Sequence, residues 1–229
     1  MLYKTRGIAL NYIKYRETSI IAKIYTESFG LTSYIVNGVR SKKARHKIAF
    51  FQPLTPLDLV VYHKKNANLN RISELKCPEP LMSLPTNIKK SSIAIFITEL
   101  LIKSLKGEEE NHALFHFLYQ SILVLEHMSA HYENLHLQFI LKLSRFLGFA
   151  PADAHEITTQ LQTAGAKIYI GDEDERVIDL LIKEGYENSL KISNEVRRKV
   201  LDQILEFYRI HIESFGEVKS TAILSEVLA

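Results

Sequence analysis

The spacing of apolar residues changes once along this chain, and that change limits what it can fold into. Up to residue 76 they recur at every second position in short runs. Ile8, Leu10 and Tyr12 alternate within Tyr3–Ile13, and Ile20, Ala22 and Ile24 within Ser19–Thr26. Further runs cover Leu31–Val39 and Leu57–Val61, and a fifth, Leu69–Leu75, has its apolar residues at Leu69, Ile72 and Leu75. A period of two places apolar side chains on one face of a strand. From about residue 86 the period becomes three to four. Ile93, Phe96, Ile97, Leu100 and Leu101 mark a helix over 88–103, and Leu114, Phe117, Leu118, Ile122 and Leu125 mark one over 111–128. Leu135, Phe139, Leu143, Phe146 and Leu147 mark a third over 132–147, which stops at Gly148 with Pro151 beyond. Further helices are expected over 174–184, 193–213 and 220–227.

Between the two regimes, Pro78, Pro80 and Pro85 place three of the six prolines within eight residues, and proline continues neither a strand nor a helix. The expected class is therefore α+β: a barrel domain over 1–80, then a helical domain over 81–229. Five short strands hide their edges best by closing on themselves. That count fits the five-stranded oligonucleotide/oligosaccharide-binding (OB) barrel, with an SH3-like barrel as the rival. Ser28-Phe29-Gly30 between two runs marks a hairpin, since glycine takes positive φ without steric cost.

The formal net charge of +3 conceals an asymmetry. Residues 1–80 hold 14 Lys and Arg against 5 Asp and Glu, a net of +9, and residues 81–229 hold 15 against 21, a net of −6. A basic half points to a polyanionic partner. The densest stretch is Arg40 to Lys47, where Arg40, Lys42, Lys43, Arg45 and Lys47 give five fixed cations in eight residues and no acid. Such cations displace condensed counterions from backbone phosphates and so bind nucleic acid with little sequence preference. Lys4, Arg6, Lys14, Arg16 and Lys23 are expected on the same face. Tyr3, Tyr12, Tyr15, Tyr25, Phe29 and Tyr34 accompany them, and Tyr34 is the ring expected beside the cations as a stacking surface for bases. An anionic membrane is the weaker partner, since no amphipathic anchor accompanies the cluster.

Signals for catalysis are weak. The chain has no Walker A, GxGxxG, GxSxG or HExxH pattern. His112 with His116, and His127 with His131, are spaced for one helix face but lack a carboxylate to complete a metal set. Glu108–Glu110 and Asp172–Glu175 read as solvated turns. The single cysteine, Cys77, makes no internal disulfide. The first residues carry charges throughout, with no apolar signal core. A cytoplasmic, non-enzymatic protein without cofactor is expected. Two other binding classes remain open: an adaptor whose barrel grips acidic peptides, and an RNA-binding barrel.

Several stretches, in order along the chain, resemble the bacterial recombination mediator family RecO. They are Arg16-Glu17-Thr18-Ser19; Thr26 to Leu31 leading to Tyr34; and Asn37-Gly38-Val39-Arg40-Ser41 with Phe51-Gln52-Pro53-Leu54. Further on come Phe146-Leu147-Gly148-Phe149-Ala150-Pro151, and Tyr208-Arg209-Ile210-His211 with Lys219-Ser220 and Leu224. The resemblance implies an N-terminal OB barrel and a C-terminal helical domain. It also implies binding of single- and double-stranded DNA, strand annealing, and RecA loading at the nucleoid. The implied partners are RecR and the acidic C-terminal tail of single-strand-binding protein. That tail ends in a hydrophobic residue and needs an apolar pocket beside a cation, for which Leu141, Lys142, Arg145 and Phe146 are the candidates. Many RecO proteins carry a cysteine zinc site after the Gly-Phe-Ala-Pro stretch. Residues 153–174 contain no cysteine, so no zinc is expected, with helix packing and hydrogen bonds in its place.

Overall fold

The computed structural model describes every residue except Asn66, Glu108, Asn188 and Ser189, and of Lys42, Lys43, Arg45 and His46 it describes the backbone alone. Five strands, β1 (Leu2–Tyr15), β2 (Ser19–Thr26), β3 (Gly30–Val36), β4 (Pro56–Tyr62) and β5 (Asn70–Lys76), form a closed barrel in the order β1-β2-β3-β5-β4. This is the α+β architecture that the two periodicities predict, with the strand number of an OB barrel. A 3-10 helix, Lys42–Phe51, links β3 to β4.

Closure depends on β1. Its first half pairs with β4 and its second half with β2, and Gly7 belongs to both ladders, opposite Leu57 and Thr26. A Cβ at Gly7 would lie 2.8 Å from Ile24 Cγ2 and 2.9 Å from Leu59 Cδ1, so a side chain here would force these core residues to move. The β1–β2 register shifts between Ala9 and Asn11, leaving Leu10 as the extra residue of a bulge. Before the bulge Thr5, Gly7 and Ala9 face inward; after it Tyr12 lies opposite the interior residue Ala22. The interior is filled by Ile20, Ile24, Tyr34, Leu57, Leu59 and Val61, among others.

Seven α-helices follow among the described residues: α1 (Ile88–Ser104), α2 (His112–His127), α3 (Leu135–Leu147), α4 (Ala154–Thr163), α5 (Asp172–Lys183), α6 (Asn194–His211) and α7 (Ser220–Val227). Helix α4 has no counterpart in the sequence reading. It buries only Ala154, Ile157 and Leu161, too few to set up a visible period, and its start is fixed by Asp153, whose carboxylate accepts the Glu156 N–H.

The chain divides into two compact units, Met1–Asn87 with Leu105–Glu126, and Ile88–Ser104 with His127–Ala229. Helix α2 thus belongs with the barrel. Phe115 stacks on the ring of Tyr25, with centroids 6.4 Å apart, and burial pushes the Tyr25 phenol up to about 12. Near the end of α2, the Glu126 carboxylate accepts the backbone N–H groups of Met82, Ser83 and Leu84 at 2.7–2.9 Å. The proline-rich segment therefore has fixed hydrogen-bond partners. In the second unit, Phe149 packs against Phe207, Tyr208 and His211, and the Tyr208 hydroxyl donates to the Ile140 carbonyl at 2.6 Å. Gly148, at φ 87°, ends α3 and turns Phe149 inward.

His136 lies on α3, fully enclosed, with its ring edge-on to Phe96 at 5.8 Å. Burial, reinforced by the Arg197 charge, pulls its pKa down to about 3. The unfolded chain takes up this proton near pH 6.5 and the folded chain does not, so stability falls as pH drops below 6.5. At pH 5 the expected loss from this residue is about 2 kcal/mol. Urea unfolding at pH 7.5 and pH 5 checks it: His136→Gln should lose distinctly less stability over that interval than the unsubstituted chain.

Candidate nucleic-acid interface

The basic segment between β3 and β4 is held at both ends. Gly38, at φ 72°, turns the chain out of β3, and Val39 is buried in the barrel core. The Arg40 N–H donates to the Thr18 carbonyl at 2.9 Å, and its Nη1 to the Arg16 carbonyl at 3.2 Å. Ser19 Oγ donates to Asn37 Oδ1 at 3.1 Å, tying the same segment to the start of β2. At the far end Ile48 and Phe50 pack against the core and Phe51 enters it, only 1% exposed. Lys47 is exposed. The side chains of Lys42, Lys43 and Arg45 lie outside the described residues; their backbone is part of the 3-10 helix.

Arg16 sits in the β1–β2 turn at φ 50°, its guanidinium 5.2 Å from the centroid of the Tyr15 ring. The Arg40 bonds thus bring the turn carrying Arg16 and the start of the basic segment together. Lys14 is exposed at the same end, opposite Ile20 and therefore on the interior-facing side of its strand. Lys23 lies opposite Asn11 and Ser33, on the outer side. The bulge at Leu10 produces this split, so Lys14 and Lys23 do not share a face.

Lys4 and Arg6 occupy other surroundings. They line a concavity of about 510 Å³ along β1, β4 and β5, together with Glu27, Asp58, Glu74 and Lys76. Arg6 donates through Nε and Nη2 to both Glu27 carboxylate oxygens at 2.9 and 2.7 Å, and its guanidinium lies 5.0 Å from the centroid of Phe115 on α2. The bond from Arg6 holds the Glu27 carboxyl below its usual range, and the same bond raises the Arg6 pKa. Arg6 is thus committed to a carboxylate and an aromatic ring, which removes it from the expected phosphate-binding face. Tyr34 is fully enclosed inside the barrel. It cannot offer a face to a base, because β3 alternates and Tyr34 shares the interior side with Val36.

His112 faces Glu27 Oε1 at 3.3 Å and Glu110 Oε1 at 2.9 Å, and His131, at φ 61°, stands outside α2. Among the described residues no group of three or more His, Cys, Asp or Glu gathers as a metal cluster. Residues 153–174, the stretch after Gly-Phe-Ala-Pro, offer no thiolate donors for zinc. Hydrogen bonds join the helices there. Asp179 accepts the Ala154 N–H at 2.8 Å, Thr158 donates to Glu175 at 2.9 Å, and Gln203 donates to Asp174 at 2.8 Å. No helix among the described residues is long and apolar enough to cross a membrane.

Of the candidate residues for an acidic tail, Leu141 is buried, Phe146 is half-buried and Arg145 is exposed. Lys142 donates to the Glu184 carbonyl at 3.2 Å and lies over the Tyr186 ring, and burial lowers its pKa.

A five-stranded OB-type barrel with a pinned cationic segment, followed in sequence by a helical region, defines a class of two-part proteins. Comparison with known families resolves it further. The model described as "Recombination protein O N terminal" matches residues 1–81, and "Recombination protein O C terminal" matches residues 85–221. The chain belongs to the RecO family of DNA repair proteins. It is 36% identical to the DNA repair protein RecO of Azobacteroides pseudotrichonymphae, over 99% of each chain. It is 34% identical to that of Flavobacterium johnsoniae over the whole of both, and 35% to that of Bacteroides fragilis over 99% of each.

The contrast between Tyr34 and Lys47 is measurable. Tyr34→Ala should destabilise the protein by about 3–5 kcal/mol through the cavity it leaves, and Lys47→Ala by less than about 0.5 kcal/mol. Chemical denaturation of the two variants checks both values.

Proposed function

We propose that the protein is a non-catalytic DNA-binding mediator of recombination, acting at the nucleoid in the cytoplasm. In this reading it holds single- and double-stranded DNA and anneals complementary strands. With RecR it helps load RecA onto DNA coated by single-strand-binding protein. The observation that carries the reading is the segment Arg40–Lys47: five fixed cations without an acid, on a backbone anchored by Val39, Arg40 and Phe51. An anchored backbone loses less conformational entropy when its side chains engage phosphates. Arg40, Lys42, Lys43, Arg45 and Lys47 are the phosphate ligands, with Arg16 and Lys14 at the same end of the barrel and Lys23 on its outer side. Annealing makes and breaks no covalent bond. Cations that screen two backbones at once are sufficient for it.

For the tail of single-strand-binding protein, Arg145 supplies the cation and Phe146 the apolar neighbour. Lys142 is already occupied by Glu184. Arg145→Glu should weaken binding of a tail peptide in a titration, and an unchanged affinity removes this site.

The test of the main reading spares Arg40, which holds the turn. Lys43→Ala, Arg45→Ala and Lys47→Ala together should weaken oligonucleotide binding for every sequence alike. The slope of log affinity against log salt should fall by about 2 on single strands, at roughly 0.7 per phosphate contact. Annealing of strands coated with single-strand-binding protein should slow in parallel. An unchanged affinity and slope sinks the DNA reading. Equal competition by matched RNA would favour an RNA-binding barrel, and by an acidic peptide of equal charge, an adaptor.

A further inference from the structure

Three rings meet at the end of the barrel where β1 begins and β4 ends. Phe29, from the β2–β3 hairpin, stacks on His63, the first residue after β4, with centroids 3.8 Å apart and planes within 10°. Tyr3 stands at 74° to Phe29, 5.3 Å away, and at 80° to His63, 6.4 Å away. These separations put Tyr3 beside the two-ring stack and not on either end of it. Tyr3 is 38% exposed, an unusual exposure for a large ring on the interior-facing side of a barrel strand.

The mounting is firm. The His63 N–H donates to the Met1 carbonyl at 3.2 Å, and the Lys64 N–H to Asn70 Oδ1 at 2.8 Å, with Asn70 itself buried. Lys64 and Lys65, both exposed, follow directly in the chain. Phe29 and His63 are half-buried, Phe29 against the barrel core, so Tyr3 is the most exposed of the three rings. An exposed ring braced by a two-ring stack, beside two exposed cations, matches the chemistry of a single-stranded nucleic acid: flat apolar bases on a charged backbone.

We infer that Tyr3, Phe29 and His63 form a base-stacking ledge for single-stranded DNA, with Lys64 and Lys65 taking the adjoining phosphates. A duplex keeps its bases stacked on one another and so gains nothing from the ledge. The inference rests on the DNA-binding reading above and gives it a preference for unpaired strands, at a place apart from the Arg40–Lys47 segment. The alternative is that the rings merely close the open end of the barrel.

The test compares an oligothymidine strand with a strand of equal length and charge carrying abasic sites, first on the unsubstituted protein. Oligothymidine should bind about tenfold tighter, the contribution of one stacked base. Tyr3→Leu, which keeps an apolar plug, and His63→Ala should shrink that ratio toward one without changing duplex affinity, and Tyr3→Phe should preserve it. Strong DNA binding with no preference for bases overturns the ledge and leaves the DNA reading intact, as does a preference that Tyr3→Leu and His63→Ala leave unchanged. Failure of the unsubstituted protein to bind any DNA overturns both. Tyr3→Leu and His63→Ala alter different rings, so if one fails to fold the other still decides the outcome.

Discussion

The barrel exists because one strand serves two ladders. Strand β1 supplies hydrogen-bonding edges to β4 with its first half and to β2 with its second, and the two sets overlap at Gly7 and Ile8. A side chain at this shared position would displace Ile24 and Leu59, which already fill the space. The bulge three residues later is the second half of the same device, since an added residue increases local twist and lets the sheet curl. The placement of the cations follows from it. Arg6 precedes the bulge and meets α2. Arg16 follows it and meets the segment that returns from β3.

Charge on the barrel is compartmented more finely than composition suggests. The concavity along β1, β4 and β5 sets Lys4, Arg6 and Lys76 against Glu27, Asp58 and Glu74, and its one two-point ion pair, Arg6 with Glu27, lies against a ring of α2. An ion pair this exposed contributes little to stability through attraction alone. Its structural role is positional: Arg6 spans Glu27 and Phe115, so one side chain links the β2–β3 hairpin to the covering helix. Helix α2 in turn shields Tyr25 from water. The same helix ends at Glu126, which satisfies three backbone donors of the proline-rich segment.

Much of this was legible in the sequence, for physical reasons. A switch of apolar period from two to nearly four is a strong signal, because burial on one face must follow the geometry of the element. Strands β1 to β4 and six of the seven α-helices among the described residues followed from it to within a few residues, and β5 was read from its position in the series. Helix α4 escaped because it is held by Asp153 and by polar links to α5, which leave no apolar rhythm. The faces of side chains were less legible. Ile8, Leu10 and Tyr12 read as one alternating row, but the extra residue at Leu10 reverses the faces, and no local feature of the sequence announces it. For the same reason Lys14 and Lys23, both basic and both on the first hairpin, part company. Tyr34 illustrates the limit of composition: a tyrosine among lysines suggests a binding surface, yet the parity of β3 sends it inside. Partnership was invisible altogether, since Glu27 lies 21 residues from Arg6.

The net charge of a segment becomes a binding surface only after the internally matched cations are set aside. On this barrel Arg6, in the groove along β1, β4 and β5, is matched by Glu27, and other basic positions lie at the two ends. One end holds Arg16, Lys14 and the anchored Arg40–Lys47 segment; the other holds Lys64 and Lys65 beside the three-ring cluster. Exposed charges more than about 10 Å apart are largely screened from one another at ordinary ionic strength. The two ends therefore act on a polyanion as separate local attractions, not as one diffuse field. What each end offers besides charge then decides which part of a nucleic acid it can hold: an anchored backbone carrying basic residues at the first, and at the second the exposed Tyr3 beside the half-buried Phe29–His63 stack.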